Sequence, residues 1–225
     1  INVPPLVAAL LIARGFASES DARLFLGPGL DDLNDPFLLK GMATAVARVR
    51  AAIAAGQKIL VWGDYDVDGT TGTVLLRKAL ASLGASTSFH IPNRFTEGYG
   101  LNQEYLAKAK ADGVGLVITV DCGTRSFDPI AWAQENGLDV IVTDHHLSDP
   151  ERGIPAAAAV VNPNQAGCEY PDKQLAGVGV ALKLAQALIG DGGHPEQMNE
   201  FLEIAAIGTV ADVMKLTGEN RSIVS

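Results

Sequence analysis

The chain is short of cysteine, of positive charge and of long apolar runs, and each shortage narrows what it can be. Its two cysteines, Cys122 and Cys168, cannot make a disulfide framework, and neither lies in a Cys-x-x-Cys pair. A reduced, cytoplasmic setting is the simple expectation. The richest apolar stretch, Leu6 to Ile12, falls well below the ~18 residues of a membrane span and is followed by Arg14, so neither a membrane segment nor a targeting signal is read. Lys and Arg number 17 against 26 Asp and Glu, a formal charge of −9. Nucleic-acid surfaces usually show clustered cations, so this balance taken alone argues against one. Aspartates committed to bound cations would offset part of that argument.

What remains is an ordinary globular composition, 48% hydrophobic and 19% charged over 225 residues, enough to bury a full core. One large domain with an appendage is expected. The chain starts at Ile1 without an initiator Met and stops at Ser225 just after a patterned segment, so it reads as a piece of something longer.

The first 56 residues read as helical, a region expected to pack on the main domain. Pro4-Pro5 opens an apolar stretch that Gly15 closes, Ser18 and Ser20 can cap a helix running to Leu26, and Gly27-Pro28-Gly29 breaks it. After Asp35-Pro36, Leu38, Leu39, Met42, Val46, Val49 and Ile53 recur at helical spacing until Gly56. From Lys58 strands alternate with helices. Strands are expected at Lys58 to Trp62, Thr87 to Ile91, Gly115 to Val120, Asp139 to Thr143 and Ala157 to Val161. Helices are expected at Thr70 to Leu83, Gln103 to Ala111, Asp128 to Glu135, Val178 to Ile189 and Glu196 to Ile207. Continuous apolar strands with helical crossovers imply an α/β fold, a mostly parallel sheet flanked by helices.

In such sheets ligands bind beyond the carboxyl ends of the strands, and that is where the acids gather. Asp64, Asp66 and Asp68 follow the first strand, Asp121 the third, and Asp144-His145-His146 the fourth. Carboxylates ~4 Å apart repel by ~4 kcal/mol at an effective dielectric near 20, so a chain that assembles several needs cations. Carboxylates with imidazoles favour Mn²⁺, Mg²⁺ or Zn²⁺ in an open, oxygen-rich site. The Asp64 to Gly69 run matches the opening of an EF-hand loop, but its twelfth position is Leu75 rather than Glu and it follows a strand. The paired imidazoles His145 and His146, after an aspartate, suit one metal ligand plus one phosphate contact or proton donor. Asp121 is the natural bridge between two ions. Asp212 can be a ligand or the cap of a turn, and spacing alone does not decide.

Gly177-Val178-Gly179 resembles a dinucleotide fingerprint, but Leu182 occupies the third Gly position. A backbone turn near phosphate, or close helix packing, is the better reading. Glu97-Gly98-Tyr99-Gly100 and Gly218-Glu219-Asn220-Arg221 read as loops, with Arg94 and Arg221 as candidate phosphate clamps.

Together these blocks resemble the catalytic core of the RecJ family of single-strand-specific exonucleases, in the DHH phosphoesterase superfamily. The resemblance is carried by Gly63 to Gly69, Ile91-Pro92-Asn93-Arg94 with Glu97 to Leu101, Thr119 to Gly123, Val142 to His146, Val161-Asn162-Pro163, Leu175 to Ala181 and Gly208 to Val213, in the family's order. It implies two divalent cations, Mn²⁺ or Mg²⁺. Asp64, Asp66 and Asp121 would hold one; Asp68, Asp121, His145 and Asp212 would hold the other. Related enzymes carry a histidine just upstream of their Asp-x-Asp pair, where this chain has Trp62; either Asp64 substitutes for it or one ion binds weakly.

The resemblance also implies metal-assisted 5′→3′ hydrolysis of single-stranded DNA to mononucleotides, in DNA repair and recombination. His146, Arg94, Arg221, Gly177 and Gly179 would face phosphate or substrate. It assigns residues 57–225 to the catalytic domain and implies a further DHH-associated domain and an OB-fold outside this chain. Single-strand-binding protein or a helicase are the expected partners of the longer protein. The rival readings are a DHH hydrolase of short oligonucleotides, cyclic dinucleotides or pyrophosphate, and a nonhydrolytic DHH-like scaffold.

Overall fold

The computed structural model describes residues 1–190 and 195–225. Its strands β1 (Lys58–Gly63), β2 (Thr87–His90), β3 (Val114–Val120), β4 (Asp139–Thr143) and β5 (Ala159–Val161) form one parallel sheet in the order β2-β1-β3-β4-β5. Both faces are covered, as the apolar strands require. Ile59 and Val61 of β1 join Ile118 and Ile141 on one face, against α3 (Met42–Ala54), α4 (Val67–Ser82) and α7 (Gly177–Ile189). Leu60 and Trp62 alternate to the other face, against Leu106 of α5 (Gln103–Ala111) and Ile130 of α6 (Phe127–Glu135). The fold is a doubly wound α/β sheet whose strand order reverses between β1 and β3, the place where such sheets bind ligands.

Register sets the height of the rim. Gly63 pairs with Val120 and Val120 with Thr143, so Asp64, Asp121 and Asp144 leave the sheet in one layer. In the sheet β3 lies between β1 and β4, which makes Asp121 the central acid of the three.

The observed strands fall within two residues of those expected, the helix expected at Glu196 to Ile207 runs on to Ala211, and the expectations for the start of α4 and for Gly218 to Arg221 need correction. Helix α4 begins at Val67 rather than Thr70, because the Asp66 carboxylate caps it by accepting the Gly69 N–H at 2.9 Å. The first acid cluster is thus the N-terminal turn of a helix rather than a free loop. Gly218 to Arg221, expected as a loop, lies in α9 (Gly218–Val224). Its start is held by a long-range partner invisible in local sequence: Asp172 accepts the Glu219 N–H at 2.9 Å.

Helix α1 (Pro5–Ala13) buries only Leu11, whereas α3 contributes Met42, Val46 and Val49 to the main core and belongs with the sheet. Among the described residues no helix is long and apolar enough to cross a membrane. Helix α8 (Pro195–Ala211) packs on α4 and α9.

A buried ion pair ties the segment before α3 to α7 and α9. Lys183 of α7 and Glu219 of α9 are in direct contact, and both side chains are inaccessible to solvent. Tyr170 also donates to the Glu219 carboxylate, which accepts the Asn34 backbone N–H at 3.0 Å, while Lys183 Nζ donates to the Asn34 carbonyl at 2.7 Å. Burial pulls the Lys183 ammonium below its ordinary pKa, and the Glu219 charge opposes that shift. Removing one partner of such a pair strands the other charge. Lys183→Met is therefore expected to lose about 3–5 kcal/mol of stability in urea unfolding, and Lys183→Met/Glu219→Gln to recover a large part of it. A single variant as stable as the parent would contradict this account.

Candidate metal centre

Asp121 sits directly beyond β3 with φ of 61°, a left-handed backbone that aspartate tolerates better than most residues. Its N–H continues the ladder to the Thr143 carbonyl at 3.0 Å. Gly177, first residue of α7, packs directly against it: an added Cβ would stand 2.5 Å from Asp121 Cβ. The same helix start holds the neighbouring acid. Asp68 accepts the Gly177 N–H at 2.6 Å and the Val178 N–H at 2.7 Å, one to each carboxylate oxygen. The partial positive charge of a helix N-terminus thereby offsets one carboxylate of the crowd.

The acids and imidazoles fall into three overlapping triads, each with ligand atoms within 4.8 Å of one another: Asp64, Asp66 and Asp121; Asp68, His145 and Asp212; Asp121, His145 and His146. Asp121 and His145 each belong to two of these, so the triads form one continuous site. His145 Nε2 lies 3.1 Å from Asp121 Oδ1, 3.7 Å from Asp212 Oδ2 and 3.9 Å from Asp68 Oδ2. The 3.1 Å approach lacks hydrogen-bond alignment, and the buried Oδ1 atoms of both Asp121 and Asp64 are without a hydrogen-bond partner. Buried carboxylate oxygens are rarely left so. An all-oxygen and imidazole donor set with orphaned oxygens fits hard divalent cations.

Electrostatics carry the same mark of crowding. Burial raises the Asp121 carboxyl to about 8, with His145 pulling the other way and Asp68 adding to the rise. Burial raises Asp68 to about 6 against the pull of its two backbone N–H bonds and His145. Asp64 and Asp212 are also raised, chiefly by burial. Burial lowers the affinity of His145 for a proton, but contact with Asp121 and the charges of Asp121 and Asp68 outweigh it and lift the ring to about 9.

Asp144 is the organiser of the histidine pair, a role the sequence reading did not assign. Its Oδ1 accepts from the His145 N–H at 2.7 Å, the His146 N–H at 3.1 Å and His146 Nδ1 at 2.7 Å; its Oδ2 accepts the Thr124 N–H at 2.9 Å. Burial would raise its pKa, yet the bonds to His146 and Thr124 hold it below the ordinary carboxylate value. Asn162 and Asn164 fasten the turn by donating to the His146 and His145 carbonyls at 2.9 and 2.7 Å. Tyr99 was also missed as a site residue: its hydroxyl donates to the Asp121 carbonyl at 3.1 Å and lies 3.4 Å from His146 Nδ1. The Glu97 to Leu101 block was the available signal.

Arg94 is brought to the site, its guanidinium 4.6 Å over the Tyr65 ring in a cleft shared with Asp64, Asp66 and His146. Arg221 and Gly179 are not. Arg221 Nε donates to the Phe25 carbonyl at 2.9 Å and its guanidinium covers the Phe25 ring, on the side of α2 (Glu19–Leu26). Gly179 is buried, and an added Cβ would meet the Leu175 side chain at 3.3 Å, so its smallness leaves room for the segment leading into α7. Trp62 is fully buried beneath the rim, edge-on to His90 at 4.6 Å.

These shifts set the pH response of the ion-free protein. Asp121 and Asp68 keep protons in the fold well above their ordinary value of 3.8, so their contribution to stability falls as pH rises from 3.8 through about 8 and about 6 respectively. His145, raised from 6.5 to about 9, contributes stability below 6.5 that is lost as pH rises through 9. All three act in one direction. Chelator-treated protein is expected to melt at a lower temperature at about pH 8.5 than at about pH 6, and added Mn²⁺ to raise the melting temperature more at the higher pH. Equal Mn²⁺ effects at both values would refute the assignment.

Comparison with known proteins gives the fold a lineage. A family model described as the DHH family, N-terminal domain, matches residues 58–209. The chain is 48% identical over 223 residues to the single-stranded-DNA-specific exonuclease RecJ of Bacillus subtilis (strain 168), an alignment covering 99% of this chain and 28% of that protein. A crystal structure of exonuclease RecJ bound to manganese superposes with a TM-score of 0.74 at 40% identity, over 83% of this chain and 46% of that one. RecJ from Thermus thermophilus in complex with Mn²⁺ gives a TM-score of 0.76 at 33% identity, over 99% of this chain and 33% of that one. The chain spans 28% to 40% of the length of the curated relatives it matches. With the family model running from β1 into α8, the chain belongs to the DHH family.

Proposed function

We propose that this chain is the catalytic part of a divalent-metal-dependent phosphodiesterase that trims single-stranded DNA from its 5′ end and releases 5′-mononucleotides. The observation that carries this reading is the continuous run of three ligand triads sharing Asp121 and His145. The single-strand-specific exonuclease named among the relatives supports the substrate, and the manganese-bound RecJ structures support the cofactor. In this reading Asp64, Asp66 and Asp121 hold one Mn²⁺ or Mg²⁺, and Asp68, Asp121, His145 and Asp212 hold the second. Residues 57–225 form the catalytic domain, and of the helical region 1–56 the helix α3 is built into its core while α1 and α2 lie outside it. The longer protein would supply the further strand-binding domains and any contact with single-strand-binding protein or a helicase.

A bound pair of such cations supplies an acidified water and offsets charge on the phosphate oxygens. The chain's own groups do the rest. Asp144 occupies His146 Nδ1, which fixes the ring and leaves Nε2 as the atom that can donate to a phosphate oxygen or to the departing oxygen. Arg94, stacked on Tyr65 in the same cleft, offers a guanidinium to the phosphate. Tyr99 braces both halves by bonding the Asp121 carbonyl beside His146.

Asp121→Asn is expected to abolish hydrolysis of 5′-phosphorylated single strands while leaving the fold intact by circular dichroism, because one neutralised ligand disturbs both ions. Activity within a few-fold of the parent at saturating Mn²⁺ would remove Asp121 from the bridging position. His146→Ala is expected to bind Mn²⁺ nearly normally by calorimetry and to turn over ~10²- to 10⁴-fold more slowly. Parallel loss of metal binding would make His146 a ligand instead. Rates on dinucleotides and on pyrophosphate, measured beside the long strand, separate the exonuclease from a small-molecule DHH hydrolase.

A further inference from the structure

Arg94 is exposed and rides on the segment between β2 and α5, which has neither helix nor strand and in which Gly98 and Gly100 take φ of 79° and 85°. A long side chain on such a segment would spread over many orientations unless the backbone beneath it were held. One carboxylate holds it. Glu97 Oε1 accepts the Asn93 N–H at 3.0 Å, and the Asn93 carbonyl accepts the Glu97 N–H at 2.8 Å. Asn93 Oδ1 accepts the Phe95 N–H at 2.9 Å, so residues 93–97 close into a ring of hydrogen bonds with Arg94 at its head.

The second oxygen of Glu97 reaches the sheet. Its Oε2 lies 2.7 Å from Nε2 of His90, the last residue of β2. The Asn93 N–H above all, with the His90 ring helping and burial opposing, holds the Glu97 carboxyl below its ordinary value. An ionised carboxylate only accepts, so the imidazole N–H donates. His90 is fixed in its turn: it pairs with Trp62 in the register of β1 and β2, stacks on Tyr105 of α5 at 3.7 Å and meets the Trp62 ring edge-on. Trp62 and Tyr105 are edge-on to one another at 5.2 Å. A continuous line of contacts therefore runs from the sheet interior through His90 and Glu97 to the backbone beside Arg94.

This line stays behind the site. Asn93, Arg94 and Phe95 line the cleft shared with Asp64 and Asp66, whereas Glu97 and His90 do not, and neither belongs to a ligand triad. We propose that Glu97, anchored by His90, is a positioning residue that aims Arg94 at the phosphate without touching substrate or ions. The role given to Arg94 rests on the phosphodiesterase reading. The brace itself is a property of the loop and can be measured without substrate.

Glu97→Ala, Glu97→Gln, His90→Phe, Arg94→Ala and Arg94→Ala/Glu97→Ala are compared in the whole chain on a short 5′-phosphorylated single strand at saturating Mn²⁺. Glu97→Ala is expected to lose roughly 10- to 100-fold in kcat/KM, the order of one charge-assisted hydrogen bond, with Mn²⁺ affinity by calorimetry at the parent's value. Added to Arg94→Ala, it should cost no more than about two-fold further, because the brace has nothing left to aim. Glu97→Gln keeps the acceptor for the Asn93 N–H and is expected to recover most of the rate. Limited trypsin digestion reads the loop alone: cleavage after Arg94 should be roughly 10-fold faster in Glu97→Ala than in the parent. His90→Phe keeps the stack on Tyr105 but not the N–H, and should move both readouts the same way. Losses that multiply in the double variant, a fall in Mn²⁺ affinity in Glu97→Ala, or parent-like behaviour of His90→Phe overturn the proposal. Should trypsin respond as expected while the parent cleaves no phosphodiester, the brace on Arg94 stands and the phosphodiesterase reading fails.

Discussion

The mutual repulsion of carboxylates at the carboxyl edge of the sheet is the constraint around which this molecule is arranged. Parallel register delivers Asp64, Asp121 and Asp144 to one layer, and the turn after β1 adds Asp66 and Asp68. Each close pair costs several kcal/mol at protein-like dielectric, and Asp68, Asp121 and Asp144 are almost fully buried. Such a cluster persists only where protons, oriented N–H groups or cations balance it. Burial is the larger reason that Asp121 and Asp68 are pushed to about 8 and about 6, and the neighbouring acids add to it.

Backbone dipoles are the second balance, and they are applied selectively. The start of α7 gives both of its first N–H groups to Asp68, and the Asp66 carboxylate is spent partly on capping α4. Asp144 is neutralised by hydrogen bonds on both oxygens and lies lower in pKa than a free carboxylate. Asp64 and Asp121 each keep a buried oxygen without a partner. Asp144 thus serves the frame, Asp66 and Asp68 combine helix-terminus hydrogen bonds with a place in the ligand triads, and Asp64 and Asp121 keep an oxygen open. The differences come from where helix ends and backbone N–H groups reach, since the acids themselves are chemically identical.

That frame depends on contacts far from the rim. Helix α7, which carries the Asp68 cradle at its first turn, is pinned two turns later by the buried Lys183–Glu219 pair. The same pair is bonded to Asn34, before α3, and its Glu219 lies on α9, just beyond the turn that holds Asp212. Segments that carry no chemistry therefore fix the angle at which chemical groups meet. The cavity beside His146 has a similar origin, since its walls come from the loops after β2, β3 and β4.

The alternation of short apolar strands with helical periods, and the placement of Asp64, Asp121 and Asp144 after strands, made the α/β sheet and the acid rim legible in the residues alone. Burial of a strand on both faces leaves a hydrophobic run, and a rim acid interrupts it, so both are local signals. The start of α4 and the existence of α9 were not legible, because one depends on which way the Asp66 side chain turns and the other on Asp172 and Lys183, distant in sequence. Asp212 was ambiguous for the same reason, and its approach to His145 exists only once α8 packs on α4. Arg94 and Arg221 looked alike as candidate clamps, yet one stacks on Tyr65 in the cleft and the other on Phe25 beside α2. Fold class and the kinds of ligand atom were therefore written in the residues, because they follow from local pattern and side-chain chemistry. Which acids share a site, which are already satisfied, and which arginine faces them emerged only on folding, because hydrogen bonds and charge act through distances that chain spacing does not set.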